Sequence, residues 1–391
     1  MNGDLAASDL AAQIERIHAT PHRMVMNFAG AGAQALMWLH SVGGSSRTVL
    51  EATDRYTPAS LVEAVGFTPQ QFTSVRVARA LAANAHTRAA LLNPAVPVFG
   101  LGATATIATD RAKRGEHRCA VAVTDALGTV TYSLTLTKGL RDRAGEEELV
   151  SLVILKAVAE ACGLTFPEVP VAAGETLQQT FQPVPALARL EQGETEWLVL
   201  HPDGRVQTAG DLGDPADLGG AALLSGSFNP LHDGHRDLAR VAAERLERAV
   251  YFELPLLNAD KAAISLAEAR RRTLQFAGSA PLVLSRAPLF GDKAALFPNT
   301  VFVLGAETAA RLVAPRFYGG VAQRDAALAV LRRRGARFLV AGRSGKGGFE
   351  TLRSLPLPAD HRDLFQEIPE SAFRADISST ELRERWVSAE G

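Results

Sequence analysis

The sequence predicts an α/β protein of two domains, the second of them a Rossmann-like, doubly wound parallel sheet. Its 391 residues are more than most single domains contain. From residue 221 onward, short apolar runs alternate with helical patterns, as in successive βαβ units. Residues 166–220 are rich in Pro, Gly and Asp. We therefore predict an N-terminal domain over 1–165, a connector over 166–220 and a C-terminal domain over 221–391.

The first domain shows the periodic patterns of a mixed α/β fold. An amphipathic helix is predicted over 5–18, because apolar and polar positions alternate there at helical spacing. Runs of β-forming residues predict strands over 24–28, 96–99, 120–123 and 130–136, and helical patterns lie over 34–41, 77–91 and 146–162. Gly163 is expected to cap the last of these helices.

In the connector, Asp203-Gly204 stands between apolar runs and predicts a β-hairpin. The second domain is predicted to have strands over 221–224, 249–254, 282–284, 301–304 and 338–340, and helices over 265–276 and 323–334. Parallel sheets of this kind bind ligands beyond the carboxyl ends of their strands, where the strand order reverses. The loops that begin at Gly226, Gly305 and Gly342 are expected to converge at that point.

The overall charge narrows the class of partner. With 41 basic and 42 acidic residues, the chain has a formal charge of −1 and no general basic surface for nucleic acid. We expect small-molecule nucleotides as partners, bound by particular residues, and leave a homo-oligomer open. The two cysteines, Cys119 and Cys162, are expected to be buried thiols, with no protein metal site. No apolar run is long enough to span a membrane and no leader pattern is present, which predicts a cytoplasmic protein.

The most informative segment is Gly226-Ser-Phe-Asn-Pro-Leu-His-Asp-Gly-His235, which lies where an apolar run turns into a helical pattern. His232 and His235 are three residues apart, so they share one face of the first helical turn. That end of a helix also presents backbone N–H groups and the positive end of the helix dipole, which suit a polyphosphate. The segment predicts a phosphate-binding site.

A second segment, Ile377-Ser-Ser-Thr-Glu-Leu-Arg383, lies near the C-terminus. Ser378, Ser379 or Thr380 can cap a helix while their hydroxyls face a ligand, and Arg383 follows one turn later. By itself this segment is an ordinary capping box.

Together the two segments resemble the nucleotidylyltransferase superfamily, whose hallmarks are Gly-x-Phe-x-Pro-x-His-x-Gly-His and Ile-Ser-Ser-Thr-x-x-Arg. The resemblance covers residues 221–391. The blocks 253–261, 290–293 and 303–307 look most like the nicotinamide or nicotinate mononucleotide adenylyltransferase branch. That branch usually has Asp where this chain has Glu307.

The resemblance implies an adenylyltransferase of NAD biosynthesis, which joins AMP from ATP to a pyridine mononucleotide and releases pyrophosphate. It implies that His232 and His235 contact the ATP phosphates, that Lys261 neutralises the acceptor phosphate, and that Arg383 holds the β and γ phosphates. The implied nucleotide-binding residues are Gly226, Ser227, Phe228, Asn229, Gly305, Glu307, Ser378, Ser379 and Thr380. Mg²⁺, bridging the leaving pyrophosphate, is the implied cofactor.

Two alternatives stay open. The hallmark segments belong to the whole superfamily, so the enzyme could use CTP, or an acceptor such as phosphopantetheine or flavin mononucleotide. The other alternative is a non-catalytic sensor of pyridine nucleotides. The intact histidine pair and Arg383 argue against the sensor.

Residues 5–165 resemble the C-terminal domain of the CinA family, whose members include nicotinamide mononucleotide deamidases. The likeness depends on Gly44-Ser-Ser46, on the interval from Tyr56 to Gly66, and on the glycine-rich run 99–105. Where the family has a nucleophilic Ser and a Lys, this chain has Ala29 and Leu61.

An alkyl side chain can neither attack an amide nor take its proton, so this domain is predicted to be a catalytically inactive deamidase. Candidates for a retained phosphate site are Ser45, Ser46, Thr104, Lys113 and Arg114. Gly100-Leu-Gly102 formally fits a dinucleotide fingerprint, but the acidic residue that should follow is absent.

Overall fold

The computed structural model describes residues 7–110, 114–208, 211, 218, 220–257, 262–345 and 348–374. The chain forms two compact units. The first unit consists of Met1–Leu187, Pro202–Val206 and Thr273–Ser279, and the second of Ala188–His201, Gln207–Arg272 and Ala280–Gly391. Each unit contains a β-sheet of its own together with α-helices, which confirms the predicted α/β fold class. Among the described residues, no helix is long and apolar enough to cross a membrane.

The first unit is a six-stranded sheet with helices packed on it. In chain order its elements are α1 (Ala7–His18), β1 (Arg23–Ala29), α2 (Ala33–Ser41), β2 (Val49–Asp54), α3 (Pro58–Val65), α4 (Val75–Leu92), β3 (Val98–Thr106), β4 (His117–Asp125), β5 (Gly128–Leu136), α5 (Arg143–Ala161) and β6 (Gln178–Pro183). The strand order is β2-β1-β3-β4-β5-β6. Strands β2, β1 and β3 are parallel, and the pairs from β3 to β6 are antiparallel.

The glycine-rich run 99–105, which follows the strand predicted over 96–99, lies in the interior of strand β3. A side chain on Gly100 would collide with the backbone of His86 and Ala82, and one on Gly102 with that of Ala78. These glycines let helix α4 lie directly against the strand, and α4 presents alanines on the same face. The run therefore continues the strand and serves helix packing, whereas the sequence predicted a strand that ends at residue 99.

The range 166–220, predicted as a connector, contains three strands that join the two sheets of the protein: Gln178–Pro183 in the first, and Trp197–Leu200 and Val206–Thr208 in the second. Strand β6 pairs antiparallel with β5 as the edge of the first sheet. Trp197–Leu200 pairs antiparallel with Leu282–Ser285 in the second sheet. Strand β6 is polar and mostly exposed, so it lacks the apolar alternation by which a strand is recognised.

The second unit contains an eight-stranded sheet. Its elements are α6 (Pro185–Gln192, which begins in the first unit), β7 (Trp197–Leu200), β8 (Val206–Thr208), β9 (Ala222–Ser225), α7 (Asp233–Leu246), β10 (Val250–Pro255), α8 (Leu266–Thr273), β11 (Leu282–Ser285), α9 (Phe290–Leu296), β12 (Val301–Gly305), α10 (Ala306–Val313), α11 (Val321–Arg333), β13 (Arg337–Ala341), β14 (Arg343–Gly345), β15 (Gly348–Glu350) and β16 (Phe365–Ile368). The order is β16-β13-β12-β9-β10-β11-β7-β8, and β14 and β15 form a separate ribbon.

The six strands from β16 to β11 are parallel, and β7 joins them antiparallel. From β9 the chain proceeds through β10 to β11 on one side, and β12, β13 and β16 follow on the other. The strand order therefore reverses between β9 and β12, as predicted for a doubly wound sheet. Gly226, Gly305 and Gly342 follow or end the neighbouring strands β9, β12 and β13 at the same edge of the sheet.

An ion pair in the first unit makes its stability depend on pH. Arg141 donates to both carboxylate oxygens of Glu175 at 2.8 and 2.9 Å. This pair, with the backbone N–H groups of Thr137 and Ala172, lowers the pKa of the nearly buried Glu175 to about 2. The lowered pKa stabilises the folded state at pH values above the ordinary pKa of glutamate. This stabilisation is lost as the pH falls towards 2.

We therefore expect Glu175→Gln to cost on the order of 2 kcal/mol in the free energy of unfolding at pH 6, and much less at pH 3. Chemical denaturation at both pH values measures this difference. Glu51→Gln, which breaks the exposed pair of Glu51 with Arg88, is the matched control and should cost little at either pH. An equal cost of Glu175→Gln at pH 6 and pH 3 would refute the prediction.

Candidate functional site

The two histidines lie where β9 passes into α7. His232 is the N-cap residue, just before the first helical turn, and His235 is the third residue of the helix. The backbone N–H of His232 donates to Nδ1 of His235 at 3.3 Å, and the two ring centroids are 3.8 Å apart. Because Nδ1 accepts this bond, the neutral ring of His235 carries its proton on Nε2. His235 therefore presents a hydrogen-bond donor at the positive end of a helix.

Phe228 explains two further positions of the loop between β9 and α7. Its backbone is left-handed, with φ of 44°, and its ring is 1% exposed. The ring packs edge-on against His235, at 5.1 Å between centroids, and against Phe252, at 5.4 Å. A Cβ on Gly226 would come within 2.7 Å of the same ring. The glycine therefore makes room for an aromatic ring that in turn supports His235.

Two arginines that sequence reasoning missed contact this loop from helix α8. Nη2 of Arg271 donates to Oδ1 of Asn229 at 2.8 Å. Nη1 of Arg272 donates to the backbone oxygen of Ser227 at 3.1 Å. The sequence pattern indicates only that these arginines can pair with Glu268, which lies three and four residues earlier on the helix. No local pattern indicates their reach to the loop.

Gly305 and Glu307 lie at the same sheet edge as the histidine loop. Gly305 ends β12 and is the N-cap of α10, and Glu307 is exposed in the first turn of that helix. Strand β12 is the direct neighbour of β9, with Val303 opposite Leu224. Of the remaining predicted site residues, Lys261, Ser378, Ser379, Thr380 and Arg383 lie outside the described residues.

A buried ion pair lies in the sheet of the second unit. Nζ of Lys293 is 2.6 Å from both carboxylate oxygens of Glu253, and the two residues are 3% and 0% exposed. Ser285 donates to the same carboxylate at 2.5 Å. The backbone N–H of Gly226 donates to the backbone oxygen of Glu253 at 3.0 Å, which ties this strand to the start of the loop. Lys293 is therefore a structural cation.

Among the described residues, no group of three or more His, Cys, Asp or Glu side chains is placed to hold a metal ion. The ring of His235 and the backbone N–H groups at the start of α7 are nitrogen donors, which suit phosphate oxygens. Mg²⁺ prefers oxygen ligands, so these nitrogen groups suit the phosphates of a ligand rather than the ion itself.

In the first unit, an apolar cluster fills the two positions where the resemblance leads one to expect a Ser and a Lys. Ala29 and Leu61 are 7% and 4% exposed and pack with Val65, Val77 and Leu81. No hydroxyl or amine of these five side chains is available for chemistry on an amide.

The phosphate candidates of the first unit are not gathered at one place. Thr104 is 2% exposed and lies opposite Ala29 at the carboxyl end of the parallel strands. Ser45 and Ser46 precede β2 and therefore lie at the amino ends of the parallel strands. There the Oγ of Ser45 is 2.7 Å from Nδ1 of His40. Arg114 is exposed, and Lys113 lies outside the described residues. The predicted set therefore does not form a single site.

The start of helix α2 is occupied by a side chain of the protein itself. Oε1 of Glu147 accepts from the backbone N–H groups of Gly32 and Gln34 at 2.8 and 3.1 Å. A helix N-terminus is a common site for an anion, and here a carboxylate already fills that role.

A comparison with protein families bears on the second unit. Residues 223–385 match the family described as Cytidylyltransferase-like. This part of the chain is therefore a cytidylyltransferase-like domain of the nucleotidyltransferase superfamily, and the resemblance predicted for it is confirmed. No curated protein matches the chain.

Solved structures of the CinA family match the N-terminal region. They include the competence/damage inducible protein CihA from Agrobacterium tumefaciens, at 18% identity over 38% of this chain and 92% of that chain, with a TM-score of 0.31. The competence or damage-inducible protein from Enterobacter asburiae matches at 10% identity over 40% and 96%, with a TM-score of 0.31. A CinA superfamily protein from Escherichia coli matches at 16% identity over 41% and 92%, with a TM-score of 0.30. These matches are to the predicted family, and at such low scores they indicate no activity or ligand for the first unit.

Proposed function

We propose that the second unit transfers AMP from ATP to nicotinamide or nicotinate mononucleotide, with release of pyrophosphate. The histidine pair at the start of α7 carries this proposal, because it combines a ring donor, a helix N-terminus and the reversal point of a parallel sheet. The family match supports the coarser reaction class, nucleotidyl transfer. The choice of a pyridine mononucleotide depends on the blocks around Glu253, Lys293 and Glu307.

In this reaction a phosphate oxygen of the acceptor attacks the α-phosphorus of ATP, and the bond from that phosphorus to the bridging oxygen of pyrophosphate breaks. No covalent intermediate with the protein is needed, so the protein has to position the reactants and stabilise negative charge. Nε2–H of His235 and the N-terminus of α7 suit the phosphate oxygens of ATP. His232 lies beside His235 and adds a second imidazole to the same end of the helix.

The remaining roles follow from the resemblance alone. Lys261 would neutralise the phosphate of the acceptor, and Arg383 with Ser378 and Thr380 would hold the β and γ phosphates. When bound, Mg²⁺ would supply positive charge to the leaving pyrophosphate. We propose no catalytic metal held by the protein alone.

The experiment that tests this function incubates the full-length protein with Mg²⁺, ATP or CTP, and one acceptor at a time. The acceptors are nicotinamide mononucleotide, nicotinate mononucleotide, phosphopantetheine and flavin mononucleotide, and pyrophosphate release is measured. We expect the fastest release with ATP and a pyridine mononucleotide. Preference for CTP, or for another acceptor, would contradict the proposed substrates and keep the reaction class. Calorimetric binding of pyridine nucleotide without pyrophosphate release would support a sensor instead.

We further propose that the first unit does not hydrolyse nicotinamide mononucleotide. The apolar cluster of Ala29 and Leu61 provides neither a nucleophile nor a base. Incubation of the full-length protein with this compound should therefore release no ammonia above the buffer control, while an added amidohydrolase serves as the positive control. Ammonia release by the protein alone would show that another residue has taken over the chemistry.

A further inference from the structure

Helix α8 carries a cluster that holds the histidine loop from outside. The cluster consists of Glu268, Arg271 and Arg272. Its centre is the carboxylate of Glu268, which accepts from Nε and Nη2 of Arg271 at 2.7 Å each and from Nε of Arg272 at 2.7 Å. Hydrogen bonds from Arg271, followed by those from Arg272, lower the pKa of Glu268. The carboxylate is therefore charged at neutral pH and holds both guanidinium groups in place.

The two guanidinium groups donate hydrogen bonds to the loop residues on either side of Phe228. Arg272 binds the backbone oxygen of Ser227, and Arg271 binds the side-chain oxygen of Asn229. Phe228 is in the left-handed region, which is unfavourable for a residue with a side chain and persists only when its surroundings hold it. Hydrogen bonds at the two neighbouring residues provide such support, and the ring of Phe228 packs against His235.

The two arginines differ in exposure. The side chain of Arg272 is 12% exposed and that of Arg271 is 47% exposed. Arg271 donates to both oxygens of Glu268 from two different nitrogens and also to Asn229, because its guanidinium group is a rigid, planar fork with several N–H donors. A lysine at position 271 would keep the charge and lose this geometry.

We propose that Glu268, Arg271 and Arg272 form a positioning clamp, which presets the loop 226–231 and thereby His235 for the polyphosphate of a nucleoside triphosphate. This inference rests on the proposed function for its ligand. The clamp residues are positioning residues, since the hydrogen bonds described above join them to the loop and to one another. Because the clamp already orders the loop, binding of the nucleotide does not have to supply the free energy of ordering it. The clamp should therefore act mainly on nucleotide affinity.

The first test needs no activity. Hydrogen exchange of the loop amides 226–232 is measured in the full-length protein without nucleotide, for the wild type, Arg271→Gln and Arg272→Gln. We expect exchange in the two variants to be faster by about tenfold, because a local opening that the clamp opposes becomes more populated. Arg240→Gln is the control, since Arg240 makes an exposed ion pair with Glu244 further along α7. Unchanged exchange in Arg271→Gln would overturn the clamp whether or not the protein is an enzyme.

The second test separates geometry from charge. In the pyrophosphate assay we expect Arg271→Gln and Arg271→Lys both to raise the KM for ATP by about tenfold, because each loses a charge-assisted hydrogen bond. The kcat of both variants should stay within a few-fold of the wild type. The control variant Arg240→Gln should keep the wild-type KM and kcat. A wild-type KM in Arg271→Lys would show that charge alone matters and would overturn the positioning role. Circular dichroism melting confirms that each variant is folded. If the wild type transfers no nucleotide while the exchange result holds, the proposed function fails and the clamp stands.

Discussion

Replacing His235 with alanine is expected to lower the rate of pyrophosphate release by a factor on the order of 10² to 10³. The substitution removes the Nε2–H donor at the start of α7 and the acceptor for the backbone N–H of His232. His232→Ala should have a smaller effect, because its backbone N–H is retained. The measurement is kcat with ATP and the best acceptor, together with a thermal melt of each variant.

The matched control for this prediction is His201→Ala. His201 directly follows strand β7, and its Nε2 is 2.8 Å from Oε1 of Gln207, so the change also removes one bonded imidazole from the second unit. Activity of His201→Ala should stay within about twofold of the wild type, as for a site outside the catalytic region. A folded His235→Ala protein with activity within a few-fold of the wild type would exclude the proposed role of the histidine pair.

The second large effect concerns the stability of the second unit. Lys293→Met should lower its free energy of unfolding by about 3–5 kcal/mol, because it leaves the carboxylate of Glu253 buried without a counter-charge. The double variant Glu253→Gln with Lys293→Met should recover much of this loss, since no buried charge then remains. Chemical denaturation followed by circular dichroism measures both, with the transition of the first unit as an internal reference.

A surface ion pair provides the control for the buried one. Arg240→Met breaks the exposed pair with Glu244 and should cost no more than about 0.5 kcal/mol. If Lys293→Met cost no more than Arg240→Met, the pair of Glu253 and Lys293 would contribute nothing particular to the fold. If the double variant were less stable than Lys293→Met, the residual carboxylate would not be the cause of the loss.

The parallel sheet of the second unit could be predicted because its strands are short apolar runs separated by helical patterns. The strands β9 to β13 lie within a residue or two of their predicted positions. In the first unit, strand β6 was missed because polar residues dominate it. Strand β3 continues past its predicted end at residue 99, because glycine weakens a strand pattern and the sequence does not show that Gly100 and Gly102 make room for α4.

The candidate site, like the fold, could be predicted from the sequence only in part. The histidine pair could be found because its members are three residues apart and their chemistry is local. The contacts of Arg271 and Arg272 with the loop join residues 42 and 45 positions apart, and that of Glu147 with Gly32 spans 115. Such contacts depend on how the chain folds back on itself, and one sequence carries no periodic signal for them.

The position of Glu147 at the start of α2 sets a condition on any attempt to give the first unit a hydroxyl and an amine. Substituting Ala29 with Ser and Leu61 with Lys would place these groups in the apolar cluster. The carboxylate of Glu147 would still occupy the two backbone donors of Gly32 and Gln34 and repel an incoming phosphate. An anion site at the start of α2 would therefore also require a change at Glu147, in a helix more than a hundred residues away along the chain.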